Sequence, residues 1–584
     1  MKFIFGLLLA MIALIALYFV FASPQPVEDT DGSIFKFISS AEADTLDPQE
    51  ASWSGDFRLV ECLYESLLEV DGDGNVNPAT ADKWEVSDDL LTYTFHIRDN
   101  AKWSDGSPVT SHDYSYAWRR ALTPDFAASY YKMLTAIKGG QAYFDKREKD
   151  LEAFTKSDDK SAATAQALWD ATKQDFAKSV GIATPDDKTI VVTLEQVTPY
   201  FLELVGFATF CPVHKASVEK LETVDAITGM VDDEAAYFGK GGRPVSNGAY
   251  VLAERKLDNY TRLAQNPHYW NVKEMGNKGI HVRIIKNPGT ALLEYEQGNT
   301  HWLPDTPSGH PLASALVKQL DAGKRKDVHR ILGNGTYFYH FNCKPMIKGK
   351  ANPLANPKVR RALSMAIDRE KIVKDITKLN QPTSMTFTPV ALLNNYAPPV
   401  EAGASYDPQA ARKLLAEAGF PGGEGLNDLS IVFNSNASHE SVVQQVQANW
   451  KKELGVSVGS DPAEKNRFMQ IRRGHEFTVA RGGWLGDYRD PTTFLNQFHS
   501  QNGHNDSAYN SPQFDTLLEQ AGMETDATKR LKILHQAETV LMQDQPIAPI
   551  YQYMNVHVYD PDKIKHLDPN PWNTLSLEKV KVLP

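Results

Sequence analysis

Residues 479–498 read VARGGWLGDYRDPTTFLNQF, and the interpretation of the whole chain turns on them. The run Glu476–Ala480 leading into them is β-prone, and Gly482 and Gly483 let the backbone come close to whatever packs on it. Trp484 and Tyr488 supply flat apolar walls. Beyond Pro491, Thr492–Leu495 begins a helix, so Asp487 falls in a loop joining strand to helix. Loops on a rigid scaffold are where binding groups concentrate, and a carboxylate set among small and aromatic residues is placed to receive a cation. The competing reading is a turn cap, or a pair with Arg489.

A chain of 584 residues exceeds one ordinary core, so two to four domains are expected. Hydrophobic and charged contents of 42% and 23% are those of a globular protein, and a net charge of −12 argues against a nucleic-acid partner. Cys62, Cys211 and Cys343 are odd in number and far apart, which excludes a CxxC motif and predicts buried thiols. After Lys2, the apolar run Phe3–Ala22 is long enough to span a bilayer, and Val20 and Ala22 offer a cleavage site, so a cleaved signal peptide and an uncleaved anchor both remain open. Cys62 is too distant for a lipoprotein anchor. A polar linker follows the apolar run.

Further motifs stand along the chain. A short alternating strand at Ile34–Ile38 precedes the turn Thr45-Leu46-Asp47-Pro48 and a helix ending in Tyr64-Glu65-Ser66-Leu67-Leu68. Asp71–Asn75 superficially matches a calcium loop, but Asp82 stands where the bidentate Glu is needed, and a hairpin turn fits better. Leu91–Arg98 alternates as a strand before KWSDGSPVT at 102–110 and SHDYSYAWRR at 111–120. Residues 139–180 read as a charged helical surface insertion, and 183–194 as a turn feeding a strand. Then come Pro199–Leu202 (PYFL), Pro244–Tyr250 (PVSNGAY) and Asn266–Trp270 (NPHYW). Past Ile285 a second α/β region carries NPKVRRALSMAIDR at 356–369, and a helix with Asp407 as N-cap, Pro408 first and Gly419 as stop. Ala548–Val558 reads as strands returning to the first lobe.

These motifs, in this order, resemble those of the periplasmic oligopeptide-binding proteins of bacterial ABC importers, the family 5 extracellular solute-binding proteins. The pattern VARxGWxxDYxxPxxFLN is filled at every fixed position by residues 479–496. The resemblance implies an α/β, two-lobed periplasmic-binding-protein fold of type II in its large three-domain form, with mixed sheets and an interlobe ligand cleft. Its expected divisions are a signal peptide or anchor at 1–22, a linker at 23–32, a first lobe at 33–64 and 183–285 with an extra subdomain at 65–182, a second lobe at 286–552, and a first-lobe return at 553–584.

It further implies that Asp487 accepts the α-ammonium group of a peptide, since an ammonium buried without a counter-charge costs several kcal/mol. Arg481, Arg472 and His439 would meet carboxylates of peptides of different lengths. Trp484, Gly483, Asn247 and Tyr130 would serve as pocket walls or backbone contacts. Against this stand ordinary roles: Arg472 and Arg473 as a solvated helix end, His439 as a hydrogen-bonded turn residue. Leu485 occupies a position where some relatives have Cys, so no disulfide is assumed there. The expected partners are an oligopeptide and ABC permease subunits in the inner membrane, with a monomeric, extracytoplasmic protein needing no cofactor or metal. A peptide sensor or chaperone is the alternative, and a peptidase the more distant one. The chain has no HExxH or GxSxG, and its SxxK matches at Ser157–Lys160 and Ser217–Lys220 lack their companion motifs.

Overall fold

A computed structural model describes residues 32–233, 237–238, 242–306, 310–390, 392–393, 395–435 and 437–584. The apolar run at 3–22, and the linker up to residue 31, lie outside the described residues. Among the described residues, no helix is long and apolar enough to cross a membrane. The chain divides into two units. The first runs to Pro304 and adds Tyr559–Asp568 and Thr574–Pro584; the second comprises Asp305–Val558 and Pro569–Asn573.

In the first unit, β1 (Ile34–Ser39) leads to α1 (Ser54–Leu63). There follow β2 (Ala81–Val86), β3 (Thr92–Ile97), α2 (Ser111–Leu122), α3 (Gly140–Lys156), α4 (Ala162–Ser179), β4 (Ile182–Asp186) and β5 (Thr189–Thr193). The unit continues with the hairpin β6 (Tyr250–Lys256) and β7 (Tyr260–Gln265), β8 (Gly279–Ile284) and β9 (Trp302–Thr306). Its main sheet has the order β6-β7-β8-β1-β9, with β1 parallel to β8 and β9. The pairing of Phe37 with Trp302 keeps the chain in this unit to Pro304, past the expected limit of 285. A second, antiparallel sheet, β2-β3-β5-β4, includes residues beyond 182, the expected end of the subdomain.

The most recognisable motifs of this unit are scaffolding. Trp103 is fully buried, and Asp113 Oδ2 accepts from its Nε1 (3.3 Å) and from Thr110 N (2.9 Å), which starts α2. Arg120, also buried, donates to Asp47 and Gln49 and pairs with Asp233, fastening the LDP turn to α2. Glu65 accepts from Thr80, Tyr269 and Trp270, so the YESLL and NPHYW motifs meet at one carboxylate. The 139–180 segment is helical as read but more than a surface appendage. Arg147 of α3 forms a buried ion pair with Asp125 (2.6 Å), and Trp169 of α4 packs with Phe126. Asp71–Asn75 forms the expected hairpin turn between Leu68–Val70 and Val76–Pro78.

The second unit contains β10 (Val328–Phe341), α5 (Pro357–Met365), α6 (Pro408–Glu417), β11 (Ser430–Asn434), α7 (Ala437–Leu454) and β12 (Gly459–Ala463). It goes on through α8 (Lys465–Arg473), β13 (Val479–Leu485), α9 (Thr492–Leu495), α10 (Ala527–Asp544) and β14 (Ile547–Tyr559). Its strands are ordered β14-β10-β13-β11-β12, with β10 antiparallel to both neighbours and β13, β11 and β12 parallel. Helices cover both faces, so strand residues of both parities are apolar. Tyr337, Tyr339 and Phe341 of β10 enter one core with Leu363, Leu415 and Trp450, while Phe338 enters the other with Phe387, Phe494 and Leu541. The α6 signals act as read: Asp407 accepts from the amides of Gln409 and Ala410, and Gly419 takes φ +94°. In α5, Arg360 is buried and donates to the carbonyls of Leu354, Ala355 and Gln545. The strand at 547–559 pairs with β10 as far as Val328↔Val558, so it belongs to the second unit and the chain returns to the first at Tyr559, not at 553. The three thiols are free; Cys62 and Cys211 are buried and Cys343 is partly so.

Candidate functional site

β13 presents different chemistry on its two faces. Its register sets Arg481 opposite Tyr339 and Gly483 opposite Tyr337, and Tyr337 in turn lies opposite Tyr551 of β14. Residues paired across strands share a face, so Arg481 sits within a group of tyrosines. Its Nη2 bonds the Tyr553 hydroxyl at 2.7 Å, its guanidinium lies 5.0 Å from the Tyr337 ring, and Tyr337 stacks on Tyr551 at 4.8 Å. Gly483 leaves room for both groups, since a Cβ would press on the Tyr553 hydroxyl and come within 3.0 Å of Arg481 Nη2. On the opposite face a Cβ at Gly482 would enter the Phe338 ring. Trp484, also on that face, packs half-buried against the aromatic core, 5.6 Å from the His504 ring.

The loop after β13 is closely tied. Asn334 brackets Gly486, accepting its amide at the backbone carbonyl (3.0 Å) and donating from Nδ2 to its carbonyl (2.6 Å). The Asp487 amide donates to Thr493 Oγ1 (2.9 Å), and the Asp487 side chain is half-buried. Arg489 lies 4.8 Å from the ring of Trp572. Asp490 is buried and receives a two-pronged pair from Arg530 of α10 at 2.5 and 2.9 Å. The strand, loop and helix read from the sequence are therefore in place, with Asp487 between β13 and α9.

His439 lies in the first turn of α7, its ring 5.6 Å from that of Tyr337. Burial, and then the Arg481 charge, lower its pKa to about 3, leaving a neutral imidazole whose Nδ1 has no hydrogen-bond partner among the described residues. Arg472 is no solvated helix end: it pairs with Asp506 at 2.7 Å, and both are largely buried. Burial and the charges of Arg472 and Arg481 together drive the pKa of His340 far down, so two guanidiniums act at this end of β13. The structure thus groups Arg481, His439 and Gly483, with Arg472 close enough for its charge to be felt, and puts Asp487 past the other end of the strand.

Two candidates belong to the first unit. The Asn247 amide is engaged by the Glu65 backbone, accepting its N–H (3.1 Å) and donating to its carbonyl (2.8 Å). Tyr130 packs with Phe57 and Phe207, at ring distances of 5.8 and 5.0 Å. Sequence reading missed Tyr337, Tyr551 and Tyr553, although their i, i+2 alternation in strand-like runs was the available signal. It also missed the partnership of Asp490 with Arg530, for which no local signal exists.

The sequence profile described as bacterial extracellular solute-binding proteins, family 5 middle, matches residues 75–506, which include the whole of β13 and its loop. The chain belongs to the family 5 extracellular solute-binding proteins. It is 32% identical over 522 residues to an oligopeptide-binding protein OppA of Bacillus subtilis (strain 168), covering 88% of this chain and 87% of that one. Among solved structures it resembles a periplasmic oligopeptide-binding protein from Borrelia burgdorferi (TM-score 0.76, 27% identity, 94% of this chain and 100% of that one). It also resembles Haemophilus influenzae OppA in complex with the peptide RPPGFSPFR (TM-score 0.74, 28% identity, 96% and 100%). Family membership accords with the expected α/β class and its mixed sheets. The SxxK serine at 217 lies in a short helix beside a histidine. Its hydroxyl is 2.7 Å from His214 Nδ1 at a helix start, the His214 ring packs edge-on to Trp103, and Asp105 stands 3.8 Å away, beyond hydrogen-bond range.

Proposed function

We propose that this chain captures oligopeptides outside the cytoplasm by their charged ends and hands them to the permease subunits of an ABC importer in the inner membrane. The observation that carries this is the polarity of the β13 region: an acid, Asp487, past one end of the strand, and Arg481, with Arg472 and His439, towards the other. A strand rise of about 3.3 Å per residue separates residues 481 and 485 by about 13 Å, the span of a short extended peptide. Asp487 takes the ammonium, and the guanidiniums take the carboxylate, by charge-assisted hydrogen bonds. The peptide-bound relative supports this reading. Retention at the inner membrane through residues 3–22, or their removal as a signal peptide, belongs to the same proposal.

The test treats the two ends separately. Asp487→Asn keeps the shape of the site and removes its charge, so a free-amine peptide should bind weaker by about 3 kcal/mol, the cost of breaking a buried pair. N-acetylation of the peptide should cause a comparable loss with the parent protein, and the two changes combined should add little, since both remove one interaction. Undiminished binding of free-amine peptides by Asp487→Asn would refute the assignment.

A further inference from the structure

We propose that Arg530 is a positioning residue for the ammonium site: acting through Asp490, it fixes the loop that presents Asp487. This rests on the reading of Asp487 given above.

The contacts form a continuous path. Arg530 stands in the first turn of α10, a helix anchored in the core by Leu534, Ala537 and Leu541. Its two terminal nitrogens grip both oxygens of Asp490, at 2.5 and 2.9 Å, and the two residues are only 4% and 7% exposed. Asp490 Oδ1 also accepts from Thr492 N (3.0 Å) and Thr492 Oγ1 (2.7 Å), which sets the start of α9. Thr493, the next residue, donates its amide to the Asp490 carbonyl (3.1 Å) and accepts the Asp487 amide on its hydroxyl (2.9 Å). Between those ties the Asp490 amide donates to the Tyr488 carbonyl (2.9 Å). Asp490 is therefore the point at which the loop is held to the helix behind it, two hydrogen bonds from the backbone of Asp487.

A buried ion pair is a poor source of stability, because desolvation offsets most of its attraction; what it supplies is fixed geometry. A planar guanidinium holds a carboxylate in one orientation, and an ammonium cannot do so, which makes Arg530→Lys a discriminating change. Binding groups must be held by their supporting residues to a fraction of an ångström, so the loss should appear in ammonium recognition.

The experiment is calorimetric titration of the full chain with trialanine, tetra-alanine and penta-alanine, using whichever binds most tightly, free and N-acetylated, with melting followed in parallel. Arg530→Lys should weaken the free-amine peptide about tenfold, the size of a 1.4 kcal/mol change. It should alter binding of the acetylated peptide by less than about twofold, and likewise add less than about twofold in the Asp487→Asn background. Asp490→Asn should repeat the pattern, and replaces Arg530→Lys if that variant does not fold. Equal losses for free and acetylated peptides would leave Arg530 a purely structural residue and overturn the proposal, as would no loss for either. If Asp487→Asn itself leaves free-amine binding intact, the Asp487 reading fails and this proposal falls with it. If Asp487→Asn weakens binding while Arg530→Lys acts on both peptides alike, only the Arg530 proposal fails.

Discussion

Gly482 and Gly483 are neighbours in β13 with the same single-atom side chain, and replacing each by alanine should have opposite consequences. A Cβ at Gly482 would enter the Phe338 ring, with three ring carbons in conflict, in a core where Phe338 also packs on Phe387 at 5.1 Å. That ring is 3% exposed in a packed core, so the cost is that of overpacking, about 1–3 kcal/mol. For a unit of this size about 2–4 °C of melting temperature accompanies each kcal/mol, which predicts a fall of about 2–12 °C. A Cβ at Gly483 meets a movable group, the Tyr553 hydroxyl, and Arg481 Nη2 behind it. Tyr553 is half-buried and can swing aside, but it then surrenders its 2.7 Å bond to Arg481. That bond is one of the contacts that aim the Arg481 guanidinium, so peptides whose carboxylate is met by Arg481 should bind about tenfold weaker, the size of a 1.4 kcal/mol change. Differential scanning calorimetry and titration calorimetry on both variants separate the two effects. Gly482→Ala should melt earlier and bind normally, and Gly483→Ala should fall less in melting temperature than Gly482→Ala and bind poorly. Equal melting temperatures together with equal affinities would refute the assignment of the two faces.

Two further outcomes concern titration. His439, with its pKa lowered to about 3, should show no NMR titration midpoint above about pH 5 in the ligand-free protein, against an ordinary value near 6.5. A peptide carboxylate placed beside it would favour the imidazolium and raise that midpoint, and an unchanged midpoint on saturation would remove His439 from the site. Glu538 is fully buried, accepts from Thr388 N (2.8 Å) and Tyr396 OH (2.6 Å), and is pushed up to about 7 by burial. A carboxyl raised in the folded state contributes stability that is complete below its unfolded pKa, near 4.3, and is lost as pH rises through 7. Glu538→Gln stays neutral, so its melting temperature should gain on the parent between pH 5 and pH 8; a difference constant with pH would contradict the shift.

What was legible in the sequence is what depends on near neighbours. The strand, loop and helix around Asp487 follow from a β-prone run, paired glycines and Pro491, and α6 follows from Asp407, Pro408 and Gly419, all acting within a few residues of themselves. The side-chain partners were not legible, because they join positions far apart: Arg481 with Tyr553, 72 residues on; Asp490 with Arg530, 40 on; Asn247 with Glu65, 182 back. Arg472 illustrates the difficulty, since a cation at the last turn of a helix reads as solvated until Asp506 is brought beside it. The bounds of the two units depend on distant positions for the same reason, as β9 and β14 are assigned by the strands they pair with and not by their own composition.

The strongest motifs and the candidate binding chemistry also divide unevenly. Trp103, Arg120, Glu65 and Arg360 make motifs recognisable, yet each is engaged by several scaffold partners, and a buried group with that many obligations has nothing left to offer a ligand. Around Arg481, by contrast, the neighbours are two short tyrosine alternations that match no motif. A motif of this kind therefore identifies the frame on which a site is built. The chemistry offered to one peptide or another has to be read from residues that only the folded strands bring together.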